Sequence, residues 1–247
     1  MAVKHLLMVS AKLVLPLGIV WLWLLFACNK NNDLPQIIDT HTPQPPFTYL
    51  ALGDSYTIGH GVLPDLRFPT QLVQQMNQLG APFDPPRYIA KTGWTTYSLT
   101  GALNATNFAD TTFSLVSLLI GVNNLYQNRP IEEYAIQFEQ LLLRAIALAE
   151  NDTARVVVLS IPDYGYTPFG VYNQPAISQK TDQFNAVNKQ ITLSYGVQYI
   201  DITPISRQGL EQPELVAPDN LHPSGNMYAL WADLITEAIK AKYVSTP

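Results

Sequence analysis

An α/β fold, with a central parallel sheet covered by helices on both faces, is what this sequence predicts. Three observations carry the prediction. Short apolar runs without polar alternation recur along the chain, the clearest being R-V-V-V-L-S-I at 155–161. Strands buried on both faces of a parallel sheet have that composition. Longer segments have helical spacing: between 130 and 150, Ile131, Tyr134, Ala135, Phe138, Leu141, Leu142 and Ala145 share one face. Run and helix then alternate, as they must when each crossover packs back onto its own sheet.

In chain order, Phe47–Gly53 reads as a buried strand and Arg67–Leu79 as a helix closed by Gly80. Pro86–Lys91 and Ser114–Ile120 read as strands. Pro130–Glu150 is a helix, with Pro130 suited to its first position because a proline there loses no hydrogen bond. The strand Arg155–Ile161 follows, then a helix over Gln179–Tyr195 stopped at Gly196, a strand over Val197–Ile202, and a last helix over Ser224–Lys242 with Ser224 as cap. In such sheets ligands bind beyond the carboxyl ends of the strands. The residues that follow each strand are therefore where chemistry is expected.

Composition narrows the function. The 247 residues suffice for one domain, expected over residues 47–247. Only 13% are charged and the formal net charge is −5, so no basic surface for nucleic acid is expected. The single cysteine, Cys28, excludes an internal disulfide, and no histidine pair has ligand spacing, so neither a metal nor a cofactor is expected for the reaction.

The N-terminal region reads as an address. Lys4 and Lys12 precede an apolar run from Leu13 to Ala27, too short for a stable membrane span and laid out like a secretory signal. Leu25-Phe26-Ala27-Cys28 resembles the lipobox of bacterial lipoproteins. That resemblance implies a signal peptide over 1–27, a lipid on Cys28, and a protein held at the bacterial cell envelope, on its periplasmic or outer surface. Residues 28–46 are polar and proline-rich and read as a tether between membrane and domain.

Four short blocks follow strands or precede the last helix. They are Gly53-Asp54-Ser55, Thr92-Gly93-Trp94, Gly121-Val122-Asn123-Asn124, and Asp219-Asn220-Leu221-His222. A serine at a strand-to-helix turn needs a base to become a nucleophile. Of the four histidines, His5 falls in the signal and His41 in the tether; His60 is expected at the cleft rim, either touching substrate or doing nothing chemical. His222 remains as the base, and Asp219, three residues earlier, is placed to fix its tautomer. Asp54 reads as a residue holding the turn or as a second carboxylate, and Asp201 as structural. Trp94 reads equally well as core.

In this order the blocks resemble those of the SGNH, or GDSL, hydrolases, and the resemblance covers the chain from Tyr49 to the last helix. It implies a three-layer α/β/α sandwich of the SGNH-hydrolase or flavodoxin-like kind. It implies a serine esterase or lipase-type activity on carboxylic esters or thioesters, with Ser55, His222 and Asp219 catalytic. The oxyanion hole would be the N–H groups of Ser55 and Gly93 with the Asn123 amide. The family usually has Asp where Asn124 stands, which implies a modest loss of organisation behind that hole. Tyr126, Tyr164 and Tyr166 are possible pocket residues. The expected partner is a small ester or an acylated glycan or lipid. Two other readings use the same fold: an inactive envelope binding protein, and an acyltransferase to a polysaccharide.

Overall fold

The computed structural model describes residues 46–109 and 111–244. The expected signal peptide, the lipidated Cys28 and nearly all of the tether lie outside the described residues.

Five strands form one parallel sheet: β1 (Tyr49–Gly53), β2 (Arg87–Ala90), β3 (Leu115–Leu119), β4 (Val156–Leu159) and β5 (Gln198–Ile200). Their spatial order is β2-β1-β3-β4-β5. Every residue of β1, β3 and β4 is buried, while β2 and β5 are partly exposed. Burial on both faces is why the inner strands read as unbroken apolar runs.

The helices are α1 (Ser55–Ile58), α2 (Phe68–Gln78), α3 (Thr96–Ala105), α4 (Val122–Tyr126), α5 (Ile131–Leu148), α6 (Gln174–Ser194), α7 (Thr203–Ser206) and α8 (Gly225–Tyr243). α2 packs with α8, and α5 packs with both α3 and α6. These two groups are the outer layers of the α/β/α sandwich. Strand order reverses between β1 and β3, and in doubly wound sheets a crevice opens there, beyond the carboxyl ends of the strands. The blocks carrying Ser55 and Asn123 follow those two strands.

Some boundaries differ from the sequence reading, each for a local reason. α6 begins at Gln174 rather than 179: Pro175, which breaks a helix interior, sits in its first turn and costs no hydrogen bond there. Pro130 is the N-cap of α5 and not its first helical residue. α3 was not expected, because T-Y-S-L-T-G-A-L-N-A is poor in strong helix formers. It is held instead by a Thr95 cap and by burial of Leu99 and Leu103. Ser224 caps α8, its hydroxyl accepting from the N–H groups of Asn226 and Met227.

Candidate active site

At the end of β1 the chain turns directly into α1, with Asp54 as its N-cap; Asp54 Oδ1 accepts from Tyr56 N–H at 3.0 Å. Ser55 is thus the first helical residue, and a helix leaves the N–H groups of its first turn without internal acceptors. Gly93 follows β2 with φ +84°, a left-handed conformation that reserves the position for glycine. A Cβ there would meet no protein atom within 4 Å, so conformation, not crowding, sets the residue type. Among the described residues, neither the Ser55 nor the Gly93 N–H has a backbone acceptor.

Asn123 lies in the first turn of α4, after β3. Its Nδ2 donates to Trp94 O at 2.9 Å and approaches Asp54 Oδ2 at 3.5 Å. One amide thereby ties the loops after β1, β2 and β3 together. Asn124 is buried and bonded at both ends: Oδ1 accepts from Thr96 N–H at 3.0 Å and Nδ2 donates to Thr96 Oγ1 at 2.7 Å. The loss of organisation expected from Asn in place of Asp is therefore met by a pair of bonds to the start of α3.

His222 and Asp219 sit on the loop before α8. Asn220 has φ +64°, which reverses the chain and lets Asp219 Oδ1 accept the N–H groups of Leu221 (3.0 Å) and His222 (2.9 Å). Asp219 Oδ2 meets His222 Nδ1 at 2.7 Å. Burial alone would push the Asp219 carboxyl up, but these N–H bonds and the imidazole outweigh it and hold the carboxyl below its usual range. Burial lowers the His222 pKa despite the adjacent carboxylate, which favours the neutral ring that a base must be. Tyr56 packs against the imidazole at 5.4 Å between ring centroids.

Ser55, Gly93, Asn123 and His222 open into one cavity of about 220 Å³. Thr92, Val122, Tyr126, Tyr164, Phe169 and Leu221 share its wall. Asp219 stands behind His222 and His60 does not line the cavity. Trp94 is half-buried against the core. Asp201 accepts from Ser160 Oγ and Thr203 N–H, a local structural role.

Tyr166 is a correction. It does not line the cavity; its ring lies under the Arg207 guanidinium at 6.0 Å. Arg207 is held there by Asp163, whose side chain is fully buried, at 3.0 Å. Phe169 takes the wall position instead, near Tyr126 and Tyr164. It is one more aromatic in an aperiodic loop, so nothing local distinguishes it from Tyr166. Val122 and Leu221 were also missed, although each adjoins a block residue.

Asp54 caps the turn, is wholly buried and does not line the cavity. Burial pushes its carboxyl up to about 7, against the lowering effect of the Tyr56 N–H, its own N–H and the Asn123 amide. The unfolded reference is 3.8. Between those values the folded chain holds a proton that the unfolded chain has lost, so stability falls as pH rises through this window. At 1.36 kcal/mol per unit over roughly three units, the loss is on the order of 4 kcal/mol. Asp54→Asn, which retains a capping oxygen, removes the slope. Denaturation midpoints at mildly acidic and mildly alkaline pH then show a gap in the variant's favour that widens with pH; an unchanged gap means Asp54 is ionised throughout.

The comparisons agree with this geometry. Residues 51–230 match the model of the GDSL-like lipase/acylhydrolase family. The acetylxylan esterase Axe2 of Geobacillus stearothermophilus superposes with a TM-score of 0.62 at 19% identity, covering 81% of this chain and 97% of that one. A lipase/acylhydrolase from Enterococcus faecalis gives 0.63 at 20%, covering 81% and 100%. The psychrotrophic esterase EstA of Pseudoalteromonas sp., in a structure inhibited by monoethylphosphonate, gives 0.60 at 18%, covering 79% and 97%. At these identities the structures establish a common fold. A comparison with curated protein sequences finds no match. The family match runs from within β1 into α8 and takes in all four blocks, and the chain belongs to the GDSL-like lipase/acylhydrolase family, a family of carboxylic ester hydrolases.

Proposed function

We propose that the protein hydrolyses esters of small acyl groups through an acyl-enzyme on Ser55. The observation that carries this reading is the 2.7 Å bond from Asp219 to His222 Nδ1, set behind a cavity into which Ser55, Gly93, Asn123 and His222 all open. That bond fixes the proton on Nδ1 and leaves the Nε2 lone pair to act as base. Ser55 Oγ attacks the ester carbonyl carbon and gives its proton to Nε2. The negative oxygen that forms is met by the Ser55 and Gly93 N–H groups and the Asn123 amide. Collapse expels the alcohol, which takes the proton from Nε2. Water then repeats the sequence on the acyl-enzyme and releases the acid.

The cavity is smaller than a typical pocket for a drug-sized ligand, which supports a short acyl group. Its aromatic wall of Tyr126, Tyr164 and Phe169 suits the apolar face of an acyl chain or a sugar ring. An acetyl ester on a carbohydrate, the kind of substrate named for Axe2, fits both features.

A fluorophosphonate probe tests the reading, because it traps only an activated serine. Purified protein is expected to be labelled, and Ser55→Ala and His222→Ala are expected to remain unlabelled. A well-folded protein that takes no label would be a binding protein on a hydrolase fold.

A further inference from the structure

His60 has no part in acyl transfer as described above, yet it stands beside the residues that do. It follows Gly59, the C-cap of α1, and its ring lies 4.7 Å from that of His222 between centroids. Its Nε2 is 4.0 Å from Asp219 Oδ2, and its Nδ1 meets Thr92 Oγ1 at 3.1 Å. One donor atom each from His60, Asp219 and His222 lies within 4.8 Å of the other two. We propose that these three side chains bind a zinc-like divalent transition ion, and that occupancy switches the hydrolase off.

The donor set defines the ion. Two imidazoles and one carboxylate suit zinc and its transition-metal neighbours, which take nitrogen readily. Calcium and magnesium need six or more oxygens, and only one carboxylate is present. Zinc ligands stand about 2.0–2.2 Å from the ion, which places tetrahedral donor atoms roughly 3.3 Å apart. The cluster must therefore close by about 1.5 Å at its widest edge to reach that geometry. The partner with room to move is His60, whose side chain is 49% exposed. Thr92 bonds the far nitrogen of His60 and leaves Nε2 turned to Asp219, the outer-shell arrangement that orients a metal-binding imidazole. Gly61 keeps this stretch close: a Cβ there would come within 3.0 Å of Asp219 Oδ2. Asp219 is itself 30% exposed, so water has access to the remaining coordination position.

Binding disables the base whichever nitrogen of His222 coordinates. Coordination through Nδ1 breaks the bond to Asp219 and moves the ring's single proton to Nε2. Coordination through Nε2 occupies the lone pair that would accept the Ser55 proton. The inhibitory half of the proposal rests on the acyl-enzyme reading; the binding half does not.

Untagged full-length protein, stripped by a chelator, is titrated with Co²⁺ and with Zn²⁺. One Co²⁺ per chain is expected to bind with the visible absorption of a four- or five-coordinate site, to be displaced by Zn²⁺ and not by Mg²⁺. His60→Gln is expected to lose that absorption. The Zn²⁺ concentration that halves its own metal-free rate should rise by about tenfold or more, as expected when a metal site is weakened. No absorption, an unchanged spectrum in His60→Gln, or equal zinc sensitivity of variant and wild type overturns the proposal. Cobalt binding by a protein that hydrolyses no ester supports the site and overturns the acyl-enzyme reading instead.

Discussion

Asp219→Asn is expected to lower kcat by about 10⁴-fold, the loss produced by the same change in a serine-protease triad. The substitution is nearly isosteric. Its carbonyl oxygen can still accept the Leu221 and His222 N–H groups that Oδ1 accepts now, so the turn survives. The amide nitrogen must then take the place of Oδ2, 2.7 Å from His222 Nδ1. Two N–H groups cannot share that contact, so the imidazole adopts the tautomer with its proton on Nε2. In the proposed mechanism Nε2 is the base for Ser55, and in this tautomer it has no lone pair to offer. If the amide flips instead, the tautomer is kept but the turn loses its acceptor and His222 its position. Steady-state hydrolysis of an aryl acetate checks this, with near-ultraviolet circular dichroism as the folding control. A variant within tenfold of wild type would mean that Asp219 does not fix the imidazole.

For Asn123→Ala a loss on the order of 10²–10³ in kcat is expected, with KM changed far less. Asn123 Nδ2 has two hydrogens. One is held by Trp94 O at 2.9 Å, and the other makes only a long, weak bond to Asp54 Oδ2 at 3.5 Å. That second hydrogen is available to an oxyanion. A donor that meets charge only as charge develops acts on the transition state and little on the bound ester, which is why the effect falls on kcat. Alanine also frees Trp94 O and loosens the Gly93 loop. The split between kcat and KM, read beside the thermal midpoint, separates the two effects: a loosened loop raises KM and lowers the midpoint, whereas loss of the oxyanion donor falls on kcat. Alanine activity within a few-fold of wild type would remove Asn123 from the oxyanion hole.

The inner strands were legible because burial on both faces leaves an unbroken apolar run. α5 was legible because an apolar stripe sustained over five turns matches the period of a helix and not that of a strand. α3 was not legible, because its stability comes from its cap and two buried leucines rather than from helix propensity. The four blocks could be found from sequence because each is a local piece of turn chemistry: a glycine with positive φ, a capping carboxylate, an Asp three residues before a His. The exchange of Phe169 for Tyr166 in the cavity wall could not. It depends on the Asp163–Arg207 pair, which joins the loop after β4 to α7's end and pins Tyr166 beneath the guanidinium.

By itself, then, the sequence determined the fold class and the four blocks that follow the strands or precede the last helix, since these rest on periodicity and short local motifs. Only the tertiary structure decided which side chains share a cavity, that Asp54 is wholly buried beside Asn123, and that His60 stands 4.0 Å from Asp219. Those distances join loops far apart in the chain. They are set by a parallel sheet whose strands all end at one edge, and no local pattern encodes where that edge brings two loops together.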